Sequence, residues 1–249
     1  MGKVVAIPFA RSMNATQIRV ELKKYASKEK ARILQRFFKT GPGEYAQGDI
    51  FLGVVVPRTR WLAKKYQLCP LREVLKLLHS LVHEERLLAL LILMLHFKGT
   101  DLSRQRRIYR LYLSNTRFIN NWDLVDLTAA HIVGQYLADK SRLPLYTLAR
   151  SNLLWERRIA IIATHHFIRN HQYADTLRIA RILLTDRHEL IHKAVGWMLR
   201  EVGKQDLSTE EAFLRRFCTR MPRTMLRYAI ERFPESRRQR FLKMKREKS

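Results

Sequence analysis

Helical periodicity runs through almost every segment of this chain, and no stretch sustains the apolar–polar alternation of a strand. Helices are expected to begin near Asn14, Lys28, Pro57, Pro70, His83, Asp101 and Trp122, then near Pro144, Asn152, Ala174, His188, Ser208, Pro222 and Ser236. Four of these starts carry proline (Pro57, Pro70, Pro144, Pro222), whose missing N–H costs nothing in a first turn. Ser208 with Glu211 has the form of a capping box, and Gly99 and Gly203 read as helix stops. The segment 40–49 holds three glycines and a proline and reads as a chain-reversing loop, with Asp49 available to cap the next element.

Helices joined by short connections, with no strands between them, imply antiparallel pairs. Many such pairs in series suggest an α-solenoid in preference to a four-helix bundle, and their spacing of about 40 residues is that of HEAT and armadillo repeats. The fold class expected is therefore all-α, a solenoid of HEAT-like helix pairs with a concave basic groove; an irregular all-α globule is the alternative. Residues 1–249 read as one domain with a basic C-terminal end from about 236.

Charge then limits function. Lys and Arg number 48 against 22 Asp and Glu, a formal net charge of +26, while 47% of residues are hydrophobic. A chain able to build a core but this self-repulsive points to a polyanionic partner, nucleic acid first and an anionic membrane surface second. The most apolar run, 87–97, is about half the ~20 residues that span a bilayer. The N-terminal apolar stretch is too short for a signal-peptide core, and Ala6 stands where a myristoylation signal would need Ser or Thr. Cys69 and Cys218 form no metal-binding or disulfide pattern. A cytoplasmic, nucleoid-associated protein is expected, with no membrane attachment. His79 with His83, His165 with His166 and His188 with His192 lack a third ligand, and 40–49 lacks the phosphate-loop pattern, so neither metal nor cofactor is expected.

Three segments place aromatic and charged side chains on single helix faces. Trp122 and Asp126 are four apart, Trp155 and Arg158 three apart, and Lys193, Trp197 and Arg200 are spaced by four and then three. Arg158, Lys193 and Arg200 suit DNA phosphates, and the indoles of Trp122 and Trp197 attract cations. A carboxylate aimed at DNA needs a reason. Hydrolysis of a sugar–base bond supplies one, because positive charge builds on the deoxyribose in its transition state. Asp126 could instead be a second-turn acid satisfied by the helix dipole, and Trp122 and Trp197 could be core residues. Asp123 is the better structural acid, and Trp61 is expected to pack.

At these positions the chain resembles the AlkD-type DNA alkylation-repair glycosylases, a HEAT-like repeat family. The matching stretches are GEY at 43–45, DIFLGVVVP at 49–57, NWDLVD at 121–126, NLLWERR at 152–158 and KAVGWMLRE at 193–201. Each is weak alone, but five in order are fairly specific. The resemblance implies a monofunctional glycosylase that acts on cationic N3- and N7-alkylpurines in duplex DNA without flipping the lesion into a pocket. By position, Asp126 would be the catalytic carboxylate, Trp122 and Trp197 would contact the lesion-bearing deoxyribose, Tyr45 would approach the lesion, and Arg158 would hold the adjacent backbone. The protein would act as a monomer without an obligatory protein partner. Val54, Val55 and Val56 depart from the family, whose members often carry polar residues there. Two competing functions are a non-catalytic solenoid for branched or distorted DNA and a scaffold for RNA or protein.

Overall fold

The computed structural model describes residues 13–244, and these are helical almost throughout. The only strand-like pairing among them is an isolated parallel bridge between Ile50 and Val82. The first helices are α1 (Ala15–Lys23), α2 (Lys28–Phe37), α3 (Val56–Lys65), α4 (Leu71–Leu78), α5 (His83–Phe97), α6 (Leu102–Ser114) and α7 (Trp122–Ala129). They are succeeded by α8 (Leu143–Ala149), α9 (Leu154–Ala163), α10 (His165–Ile168), α11 (Ala174–Ile182), α12 (Glu189–Gln205), α13 (Leu207–Phe217), α14 (Arg223–Ala229) and α15 (Glu235–Lys243). The protein is all-α. Each expected start has a helix beginning within two residues of it. The basic run at the end of the chain continues through Lys248, which lies outside the described residues.

Local chemistry explains most boundaries. Asn14, Ser27 and Asp101 accept the orphan N–H groups of Gln17, Lys30 and Arg104. Pro57 and Pro144 stand in first turns, whereas Pro70 and Pro222 take the position just before the helix. Gly99 comes after α5 with φ +70, the left-handed turn that glycine adopts without strain.

Two expected signals work differently. The cap of α13 is Asp206, not Ser208: its carboxylate accepts from the Thr209 N–H at 3.0 Å and from both the Ser208 and Thr209 hydroxyls. Gly203 lies inside α12 and does not end it. A Cβ there would come within 1.7 Å of the Glu210 carboxylate, so the glycine admits a neighbouring side chain.

The chain forms two compact units, Met1–Leu124 and Val125–Ser249, and the boundary falls inside α7. In the first, α5 is the core: Leu87 through Leu93 are all buried, and α3, α4 and α6 pack on it. Its first turn is buried although charged. Glu84 accepts from the backbone N–H groups of Leu52, Gly53 and Val54, closest at 2.7 Å, and so clasps the irregular segment leading into α3. Gly53 is needed within that clasp, because it has φ +79 and a Cβ would meet the Ser27 carbonyl at 2.2 Å.

In the second unit α12 is central, with α9, α13 and α14 packed on it. The α12–α14 approach is close: a Cβ on Gly196 would meet the Met225 carbonyl oxygen at 2.4 Å. Beyond Ala129, α7 runs on through a wider π turn at Ala130–Gly134. There a Cβ on Gly134 would come within 2.2 Å of the Ala163 carbonyl oxygen on α9.

Candidate functional site

The second unit assembles its site around Arg158. Nε and Nη2 of Arg158 donate to the two carboxylate oxygens of Asp126 at 2.8 and 2.7 Å, a bidentate pair. Nη1 donates to the Leu190 carbonyl in the first turn of α12. One guanidinium thus ties together α7, α9 and α12. Its side chain is only 5% exposed, and that of Asp126 is 14% exposed. Sequence reasoning aimed Arg158 at the DNA backbone; in the structure its guanidinium engages Asp126 and the Leu190 carbonyl.

Trp197 is half-buried on α12. Its indole Nε1 donates to Glu201 at 3.0 Å, and its ring lies 6.1 Å from that of His165. Glu201 also accepts from Lys204 at 2.7 Å. The other expected phosphate contacts both have acidic neighbours. Lys193 pairs with Glu189 at 3.0 Å, and Arg200 pairs with Glu231 and, at 3.7 Å, with Glu201.

The first unit holds Trp122 and Tyr45, both half-buried. Phe38 is stacked between Trp122, at 5.1 Å, and Phe51, at 5.0 Å, while Phe37 meets the indole edge-on at 5.9 Å. Phe37 is 61% exposed and rims an apolar cavity of about 400 Å³ that reaches Val54, Val55 and Leu87. Trp61, expected to pack, is instead 45% exposed, lying edge-on to Tyr25 with Arg58 and Lys65 over its ring.

Beneath this aromatic cluster lies a buried polar network that sequence reasoning left out. His83 is bonded through Nδ1 to Asp49 and through Nε2 to Asp123, at 3.3 and 2.8 Å. Arg86 donates to the same Asp49 oxygen at 2.6 Å. Asp49 therefore caps no helix; it is a counterion. Burial works against charge on His83, yet Asp123 and Asp49 outweigh it and hold its pKa above the ordinary histidine value. Burial likewise opposes ionisation of Asp49, but His83 and Arg86 prevail and lower its pKa. Asp123, read from sequence as the structural acid, has that role here. The available signal was the charged run 83–86 opening an otherwise apolar helix.

No group of three or more His, Cys, Asp or Glu among the described residues is arranged to hold a metal ion. Among the same residues, no helix is long and apolar enough to cross a membrane.

A family model described as DNA alkylation repair enzyme matches residues 18–233, which include all five resembling stretches. The chain belongs to this family. A solved structure described as a predicted DNA alkylation repair enzyme from Enterococcus faecalis superposes with a TM-score of 0.65 over 84% of this chain and 97% of that one. At 16% identity, the superposition speaks for the shared fold. No curated protein matches the chain. Family membership gives the protein a role in alkylation repair and DNA as its partner, consistent with a net charge of +26.

Proposed function

We infer that the protein is a monofunctional DNA glycosylase that hydrolyses the N-glycosidic bond of cationic N3- and N7-alkylated purines in duplex DNA. The carrying observation is the Asp126 carboxylate, partly exposed and fixed through both oxygens by the buried Arg158. A carboxylate held at fixed orientation stabilises a developing sugar cation without reorganising as the bond breaks. In the step proposed, the C1′–N bond breaks and its electron pair discharges the cationic base. Water then adds to C1′ and passes its proton to the carboxylate. An already cationic leaving group lowers the need for a general acid.

Trp122 and Trp197 would present indole faces to the lesion-bearing deoxyribose, and Tyr45 would approach the lesion. Arg158 acts as a positioning residue for Asp126, while Lys193 and Arg200 exchange their acidic partners for backbone phosphates. The working form is a monomer in the cytoplasm, associated with the nucleoid.

The test is release of N7-methylguanine from a modified duplex. Asp126→Asn is expected to slow release by about 100-fold or more, and Trp122→Ala and Trp197→Ala to reduce release far more than duplex binding. Wild-type release no faster than that of Asp126→Asn refutes the reading. A second reading is favoured by the engagement of both Asp126 oxygens with Arg158: a non-catalytic binder of branched DNA, which would bind junctions tightly and release no base.

A further inference from the structure

The second unit contains a polar cavity that the chemistry above leaves unused. It has a volume of about 340 Å³ and is lined by His131 and Gln135 on one side and by His165, His166, Arg169 and Asn170 on the other. The π turn Ala130–Gly134 carries His131 and is followed directly by Gln135, and α10 with the turn after it carries His165, His166, Arg169 and Asn170. No carboxylate lines the cavity. Among the described residues, no hydrogen bond or ion pair engages the side chains of His131, His165, His166 or Arg169.

Three imidazoles and a guanidinium converging on a lining that holds no carboxylate form a poor structural core and a good anion receptor. The pocket has room for a phosphate and part of an adjoining sugar. It also lies beside the proposed catalytic surface, because the His165 ring is 6.1 Å from the Trp197 indole. That is less than two nucleotide steps, at about 3.4 Å each along a duplex strand.

We propose that this cavity grips a backbone phosphodiester of the bound DNA strand next to Trp197, and that its histidines take up protons as the phosphate enters. The inference rests on DNA as the partner, not on base release.

Electrostatics gives the sign of the coupling. Burial, and after it Arg169, holds the His131 pKa below the ordinary value. Burial lowers that of His166 first, with His131, Arg169 and Arg142 adding to the effect. His165 is also lowered by burial; Glu201 on α12 pulls the other way, but Arg169, His131 and Lys204 reinforce burial. Arg142 is itself paired with Asp175 on α11 at 2.6 Å. Burial and neighbouring cations thus favour the neutral form of these histidines. A phosphate supplies the missing negative charge and reverses the balance. Binding must then strengthen as pH falls, because the bound form holds more protons than the free one.

The experiment measures affinity for an undamaged duplex by fluorescence anisotropy from pH 7.5 to 5.5 at constant ionic strength. Wild type, the His165→Gln/His166→Gln double variant and Arg169→Gln are compared, with thermal midpoints as the folding control. Linked uptake of about half a proton on average over these two pH units is expected to tighten wild-type binding by about tenfold, and the double variant should lose most of that gain. Arg169→Gln changes an exposed side chain and, in a separate salt titration at fixed pH, should lower the log–log salt slope by about 0.9. In parallel, inorganic phosphate is titrated while the histidine ring resonances are tracked by NMR; shifts confined to His131, His165 and His166 support the site.

A double variant that keeps the wild-type pH slope overturns the proposal, as does a phosphate response without any change in DNA binding, which would mark a free-anion pocket off the path of the strand. Failure of the wild type to bind the duplex at all would sink the DNA reading itself, and the strand assignment with it.

Discussion

The Asp126–Arg158 pair makes the most obvious catalytic test also a test of stability. Asp126→Asn keeps the shape of the side chain but removes the charge facing a guanidinium that is only 5% exposed. Breaking a buried ion pair from one side costs about 3–5 kcal/mol, because the remaining charge stays buried without a counterion. For a chain of this size about 2–4 °C of melting temperature corresponds to each kcal/mol, so Asp126→Asn should lower the midpoint by about 6–12 °C at the lower cost. Arg158→Met should do similar harm, stranding the carboxylate and the Leu190 carbonyl that Nη1 serves. The double variant Asp126→Leu/Arg158→Met replaces the pair with apolar groups of similar volume and should recover most of the loss. A thermal-melting double-mutant cycle, read beside base release, separates the two effects. Stability should return in the double variant while release stays abolished. Additive losses, with no recovery, would refute the view that the two groups chiefly neutralise each other.

Gly196→Ala places a Cβ within 2.4 Å of the Met225 carbonyl oxygen and 2.5 Å of the Tyr228 Cβ. It should destabilise the protein by about 1–3 kcal/mol through overpacking of α12 on α14, and an unchanged denaturation midpoint would contradict so close a crossing. Gly53→Ala meets both a positive φ and the Ser27 carbonyl at 2.2 Å, so it should lower the melting temperature and change Trp122 fluorescence by displacing the segment clasped by Glu84; an unaltered spectrum would argue otherwise. Glu210 is 1% exposed. Burial, then Glu211 and Glu201, push its pKa from 4.5 up to about 8 against the pull of Arg200. The folded state therefore retains a proton that the unfolded chain loses, and stability falls as pH rises from about 4.5 to about 8. Glu210→Gln should flatten this decline and melt higher than wild type at pH 8; equal slopes in calorimetry would count against it.

The helix order was legible because its signals are local. Asn14, Ser27, Asp101 and Gly99 each act within one turn of their own position, and the apolar period needs no knowledge of partners. The features that escaped depend on residues distant in sequence. Gly203 looks like a stop until Glu210 is seen occupying the space beside it. Asp49 looks like a cap until Arg86 and His83, more than thirty positions away, are found beside it. Arg158 had the right face and charge for phosphate, but spacing along one helix could not reveal that Asp126, 32 residues earlier, would claim its guanidinium. Histidines discounted as metal ligands for want of a third partner matter in other ways, His83 as a buried ion and His165 and His166 as the wall of a cavity.

The wide turn at Ala130–Gly134 lets one helix serve two purposes. In an uninterrupted α-helix each residue advances by about 100°, so one extra residue in a turn resets every later side chain by that angle. Upstream of the reset the helix presents Asp126 to Arg158; across it, His131 joins the imidazoles of α10. Removing a single residue from this turn would leave a more regular helix and keep Asp126 in place, while rotating Gln135 and every later residue of the helix away from the cavity. Carboxylate and cavity could then be inherited, lost or redesigned independently of each other.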